Sequence, residues 1–211
     1  MKYCLSFLFL ISMIFQGYSQ EAKKEKHLYL GLNYGQATQN TFPLDNRNYT
    51  YNNKYFKVQI NKLLKQGRNF TYELNIEPSY YRVNHQLLNE DYISPDDNPN
   101  YLEEREIFTQ ERTFNEFALN FGIIMRYEIF NNFSSYVIGS VGPMISAAET
   151  ERLKKGFAFS DIIGFGFTHR HQKLAFDLRL TFRHNSNANL AQPNAGHNSV
   201  GLETGVAFRL N

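Results

Sequence analysis

The chain has 211 residues, including 19 Phe, 14 Tyr, no Trp and a single Cys, and its formal charge of +2 gives no electrostatic case for nucleic-acid binding. Its mean hydropathy is −0.47, and outside the N-terminus no stretch reaches the ~18–20 apolar residues a membrane helix needs. A helical membrane protein is excluded, and the aromatic excess calls for another cause.

The N-terminus reads as an address. Met1 and Lys2 form a short basic start, residues 4–15 form an apolar stretch of signal-peptide length, and Gly17 and Ser19 supply small residues for cleavage. A membrane anchor is the rival, but the run is too short and no stop-transfer pattern follows. Residues 1–19 are therefore expected to be a signal peptide and 20–211 a single domain. Cys4 leaves with the leader and lies too early for a lipoprotein attachment site, so the mature chain has no disulfide.

From about residue 27 the chain alternates apolar and polar residues, the period of a strand with one apolar face. The first segment sets Leu28, Leu30 and Leu32 against Tyr29, Gly31 and Asn33; the second sets Phe56, Val58 and Ile60 against Lys57, Gln59 and Asn61. A third has Phe70, Tyr72, Leu74 and Ile76 opposite Thr71, Glu73, Asn75 and Glu77, and a fourth runs from Phe117 to Tyr127. The fifth, about 135–145, shows no clear face. In the sixth, Ile163, Phe165 and Phe167 alternate with Gly164, Gly166 and Thr168. Asp161 there falls on the apolar parity, which either a bulge or exposure at the strand end would explain. The seventh sets Leu174, Phe176, Leu178, Leu180 and Phe182 against Ala175, Asp177, Arg179, Thr181 and Arg183, and the eighth runs from Val200 to Phe208.

The minority face carries Glu73, Glu77, Arg126, Glu128, Asp177, Arg179 and Arg183, with both signs mixed. That is a poor core for a soluble lipocalin-like barrel but suits the interior of a small membrane barrel, whose outer face meets lipid. Most segments provide the roughly 9–11 residues needed to cross a bilayer at a tilt. Short links near 65–68, 131–132 and 169–172 alternate with longer ones near 36–53, 84–113, 146–156 and 187–197, the asymmetry of periplasmic turns and external loops. The fold class expected is all-β: an eight-stranded antiparallel transmembrane β-barrel of the outer-membrane type. Its aromatics should lie mainly on the lipid-facing positions.

The seventh segment then breaks its own pattern. The apolar row from Leu174 to Phe182 continues with the same parity into His184 and Ser186. Polar groups on a lipid-facing row cost free energy unless they lie near the interface or are partnered. A His and a Ser two apart on one face also form the minimal base–nucleophile pair. On spacing alone, an interface His and a loop-start Ser are the simpler explanation.

The stretch Phe182-Arg183-His184-Asn185-Ser186-Asn187-Ala188, followed by Gln192-Pro193-Asn194-Ala195-Gly196, resembles the PagL family of outer-membrane lipid A 3-O-deacylases, with its H-x-S-N motif on the penultimate strand and its P-N-x-G turn. The resemblance implies a serine esterase in the outer membrane that hydrolyses the ester-linked 3-O-acyl chain of lipid A, with no cofactor or metal. By position, Ser186 would be the nucleophile, His184 the base, and Asn187, Asn189 and Asn194 the supports of the oxyanion. The family's acid falls on Asn198, a departure: an amide oxygen can orient the imidazole but adds no charge to stabilise imidazolium. Glu203, the nearest carboxylate, has the opposite parity. Lipopolysaccharide and the outer membrane are the implied partners; the sequence leaves open whether two copies pair as a homodimer. The rival is a non-enzymatic barrel serving adhesion, binding or envelope integrity.

Other candidates are weaker. His169 and His171 offer two ligands at a short turn without a third, and Asp91, Asp96, Asp97, Glu103 and Glu104 read as a solvated acidic loop. His197 has the opposite parity to Asn198 and is left out of the site.

Overall fold

The computed structural model describes residues 28–44, 46–96 and 99–210; the signal-peptide reading of 1–19 and Asp97 of the acidic loop lie outside them. Eight antiparallel strands close into a barrel in chain order: β1 (Leu28–Thr38), β2 (Tyr49–Gln66), β3 (Phe70–Leu87), β4 (Arg112–Phe130), β5 (Phe133–Ser146), β6 (Gly156–His171), β7 (Leu174–Ser186) and β8 (His197–Arg209). β8 pairs back onto β1 from Arg209 opposite Tyr29 to Val200 opposite Thr38. Closure leaves no unpaired edge, which a strand protein in lipid requires. The 88–111 connection carries a short helix, α1 (Tyr101–Phe108), after a 3-10 turn at Glu90–Tyr92.

The period-two pattern becomes two surfaces. On β7, Leu178 and Leu180 are 49% and 53% exposed, whereas Arg179 between them is fully buried. Each interior cation has carboxylate partners. Arg179 bonds Glu77 at 2.9 Å and Glu203 at 2.8 Å, and Lys57 bonds Glu203 at 2.8 Å. Arg126 takes Glu73 in a bidentate grip of 2.9 and 3.1 Å. Charges removed from water demand such partners, and a filled barrel lumen supplies them.

Several expectations are refined. β2, β3 and β4 run further toward the long-loop end than alternation indicated, because the pattern inverts there: Asn52, Lys54, Arg82 and Asn115 face outward and Tyr51, Tyr55, Tyr81, Val83 and Phe114 inward. β5 does alternate, but Tyr136, Ile138 and Met144 occupy its interior side and Val137, Val141 and Ile145 its exterior, so both faces are apolar. The β6–β7 register is continuous from Phe159 opposite Ser186 to His171 opposite Leu174, so there is no bulge: Asp161 simply points outward. Glu128 keeps its inward parity but sits at the open periplasmic mouth, paired with Arg170 at 3.2 Å.

The aromatics divide between the two surfaces. Phe56, Phe117, Phe165 and Phe176 line the exterior, but Tyr51, Tyr55, Tyr81 and Tyr136 are buried inside. A phenol can satisfy its hydroxyl among interior carboxylates, as Tyr51 does with Glu116 (2.7 Å) and Tyr136 with Asp177 (2.6 Å). The expectation that aromatics mainly face lipid holds for these phenylalanines and for Tyr72 and Tyr127, and is corrected for the four buried tyrosines.

Candidate active site

Strand β7 delivers the candidate pair, and its interior residues fix how it does so. Arg183 and Asn185, flanking His184, point inward. The Arg183 guanidinium bonds Glu116 at 2.9 Å and lies 3.6 Å from the centre of the Tyr81 ring, while Asn185 donates to Tyr51 Oη at 2.9 Å and to Glu116 at 3.3 Å. With those two side chains anchored in the lumen, pleating sends His184 and Ser186 out through the opposite face. Both are half-buried on the barrel exterior.

On the neighbouring strand, Asn198 lies directly opposite His184, and its Oδ1 is 2.7 Å from His184 Nδ1. An amide oxygen only accepts, so Nδ1 carries a proton, and in the neutral imidazole the lone pair then lies on Nε2. Ser186 Oγ makes no hydrogen bond among the described residues. The pair shares a face, about 6.6 Å apart along the strand, without yet being bonded.

The other flank of His184 is occupied by Asp161 of β6, its direct cross-strand partner. Asp161 is half-buried on the outer face and makes no ion pair among the described residues. Asp161, His184 and Asn198 thus form one outward row across β6, β7 and β8. Sequence reasoning marked Asp161 only as a parity conflict. That conflict, set beside the same anomaly at His184, was the available signal, but it needed the β6–β7 register to join the two.

The three remaining predicted residues come together in the 187–196 loop. The Asn187 backbone N–H donates to Asn194 Oδ1 at 2.6 Å, Asn194 Nδ2 donates to Asn189 Oδ1 at 3.0 Å, and Asn187 Nδ2 donates to Ala191 O at 2.8 Å. Ala188 and Asn189 both adopt left-handed backbone, with φ of 53° and 61°. These amides hold the loop, and in doing so they use donors expected for an oxyanion: Asn187 N–H is already committed. The Ala188 N–H makes no hydrogen bond among the described residues.

The 147–155 loop braces this one. Arg152 exchanges hydrogen bonds with Gly196, O to N at 2.9 Å and Nε to O at 2.7 Å, and Lys154 N donates to Pro193 O at 3.0 Å. Gly196 has φ of 70°, and a Cβ there would lie 2.4 Å from Asn185 O and 3.2 Å from His184 Cε1. Only glycine allows the loop to close so tightly against the imidazole. His197 faces inward, fully buried, with Nε2 2.9 Å from Thr150 Oγ1. It belongs to the brace rather than to the outward row.

Comparison with known proteins follows this geometry. The family model for lipid A 3-O-deacylase (PagL) matches residues 54–207. The crystal structure of the outer membrane enzyme PagL superposes with a TM-score of 0.53 at 13% identity, covering 84% of this chain and 97% of that one. Neisserial surface protein A, NspA, superposes with a TM-score of 0.51 at 8% identity, covering 87% and 97%. At such identities the likeness to these structures is one of fold. No curated protein sequence matches the chain. The family match runs from β2 into β8 and includes the whole of β7, the strand that carries His184 and Ser186, so the chain belongs to the PagL family of lipid A 3-O-deacylases.

Proposed function

We propose that the protein is an exported outer-membrane serine esterase that removes the 3-O-acyl chain of lipid A, with Ser186 as nucleophile and His184 as general base. The observation that carries this reading is the 2.7 Å contact between His184 Nδ1 and Asn198 Oδ1 on the outer wall. It places the lone pair of the neutral imidazole on Nε2, on the strand face that also presents Ser186. A lipid-facing site suits a substrate whose acyl chains lie in the same leaflet, and no water-filled cleft is required.

In the acylation step Ser186 Oγ bonds to the ester carbonyl carbon while His184 Nε2 takes the hydroxyl proton. The tetrahedral adduct collapses, the bond from carbon to the sugar oxygen breaks, and His184 returns the proton to that oxygen. Water, deprotonated by the same imidazole, then releases the fatty acid from Ser186. Asn198 selects the tautomer but carries no charge. Asp161 supplies the charge on the opposite flank, where the weak screening beside lipid lets a carboxylate favour imidazolium without touching it. The Ala188 N–H, which makes no hydrogen bond among the described residues, is the donor for the oxyanion, and Asn187, Asn189 and Asn194 hold the loop that presents it.

The neutral Asn198 is the one observation that favours a non-enzymatic barrel. Mass spectrometry of lipid A from cells producing the wild type or Ser186→Ala separates the two. Loss of the 3-O-acyl chain only with the wild type is the expected result; an intact chain with both folded proteins would exclude the esterase.

A further inference from the structure

Every large cation in the lumen is paired with a carboxylate, but toward the loop end the outer wall carries two that, among the described residues, are not. Lys54 of β2 and Arg82 of β3 lie directly opposite one another, both exposed on the outward face. Neither makes an ion pair or a side-chain hydrogen bond among the described residues. Like charges directly opposed on one sheet face repel. Glu111, just before β4, accepts a hydrogen bond from Asn84 at 2.7 Å instead. The immediate partners of the two cations, Gln36 and Asn115, are neutral amides. The two cations border a groove of about 610 Å³, whose far side is formed by Leu180, Val200 and Leu202.

The depth of this pair is informative. Leu180, Leu202, Gln36 and Lys54 form one paired row across β7, β8, β1 and β2. The registers close the barrel with a stagger of about ten residues, so such rows rise toward the loop end in that direction. With strands ~4.8 Å apart, ~3.3 Å per residue and a tilt of ~40°, three strand steps climb ~9–10 Å. Four residues along β7, from Leu180 to His184, climb about as much. Lys54 is therefore level with His184, and around it Gln36, Asn52 and Asn115 are exposed polar residues on the same outer wall, which marks the interface. Two opposed cations at the interfacial level of an outer-membrane wall are matched to the phosphate groups of outer-leaflet headgroups.

We infer that Lys54 and Arg82 form a lipid-binding site, a clamp for a phosphate on the saccharide headgroup of a phosphorylated outer-leaflet glycolipid. It lies three strands away from His184, on a different face of the barrel. It requires only that the barrel stand in the outer membrane, so it holds or fails independently of the esterase reading. The guanidinium offers a fork to two phosphate oxygens and the ammonium a point charge to a third.

The test uses full-length Ser186→Ala protein in detergent micelles, so that no lipid is consumed, and native mass spectrometry of bound bisphosphorylated lipid A. Lys54→Gln/Arg82→Gln should weaken binding at least tenfold, and Arg82→Lys should recover part of it. Lipid A stripped of both phosphates should bind the unaltered wall as weakly as the double variant binds the phosphorylated form. Heat-dependent gel mobility checks folding; if the double variant fails that check, Arg82→Gln alone carries the test and should weaken binding at least threefold. Equal binding by the folded variant and its parent would overturn the assignment. So would dephosphorylated lipid A binding undiminished, or phosphatidylglycerol binding as well as lipid A, since the clamp would then have no preference for the glycolipid.

Discussion

At the same height on the barrel, two flanks of one wall are built differently. On β5–β8 the outward residues stay apolar almost to the loops, with Ile145, Phe157, Ile163 and Leu202 at least half exposed. Asp161, His184, Ser186 and Asn198 interrupt that surface as an isolated polar cluster. On β1–β4 the outward residues turn polar together: Gln36, Asn52, Lys54 and Arg82 are all exposed. The second flank is an ordinary interface, where polar side chains meet headgroups and water. The first keeps lipid up to the level of the cluster, so a scissile ester can reach it while water stays outnumbered. A catalytic group on a lipid-facing wall is useful only where the wall around it remains apolar.

The largest effect expected from breaking this contrast is at the polar cluster itself. His184→Ala should lower deacylation ~10³–10⁴-fold, as loss of the base does in serine hydrolases, with the folded barrel unchanged by heat-dependent gel mobility. The matching substitution on the other flank, Gln36→Ala, should leave activity within about twofold. A His184→Ala enzyme that retains a tenth of its activity would show that the cluster is an interface feature like its counterpart.

Next comes the wall. Leu178→Arg introduces a cation deep on the apolar flank, where barrel data put the cost at ~2–4 kcal/mol, against ~0–1 kcal/mol near an interface. Thr38→Arg, on the polar flank near the loop end, should fall in the lower range. Equilibrium unfolding by denaturant in lipid vesicles measures both. Equal losses would mean that the two flanks do not differ in their depth of immersion.

The sequence carried one flank far better than the other, for a physical reason. Alternation is readable when one face is apolar and the other is not, as in β7, where Leu178 and Leu180 bracket Arg179. It fades where both faces are alike. At the loop ends of β2 and β3 it inverts, with Asn52, Lys54 and Arg82 outward and Tyr51, Tyr55, Tyr81 and Val83 inward, and β5 is apolar on both sides, with Tyr136 and Val137 adjacent and facing opposite ways. The pair His184 and Ser186 was legible because it continued a clean row. Asn198 was placed by its parity with Val200. Asp161 could be seen to be misplaced, but which residue it faced depends on the β6–β7 register, and register is a property of two strands together. The bracing of the 187–196 loop by Arg152 was not legible at all, since its guanidinium and carbonyl meet backbone atoms of Gly196, which leave no pattern in side-chain hydropathy.

The subtlest prediction concerns how the polar cluster distributes its charge. If Asp161 stabilises imidazolium from β6 while Asn198 orients it from β8, the two positions act on the same proton and cannot be independent. Asp161→Asn should lower kcat about tenfold, a loss of ~1.4 kcal/mol in transition-state stabilisation, with KM nearly unchanged, because the charge matters only once the proton has moved. Asn198→Glu, supplying a carboxylate at the position where the imidazole is already held, should raise kcat a few-fold. In that background Asp161→Asn should cost less than threefold, since the imidazolium then has its counter-charge on the other side. Additive effects would assign Asp161 to packing or folding instead, whereas a loss that vanishes beside Asn198→Glu is a coupling that a merely structural carboxylate would not produce. The outcome decides whether the charge that oriented triads keep beside the imidazole N–H has here been moved across the strand.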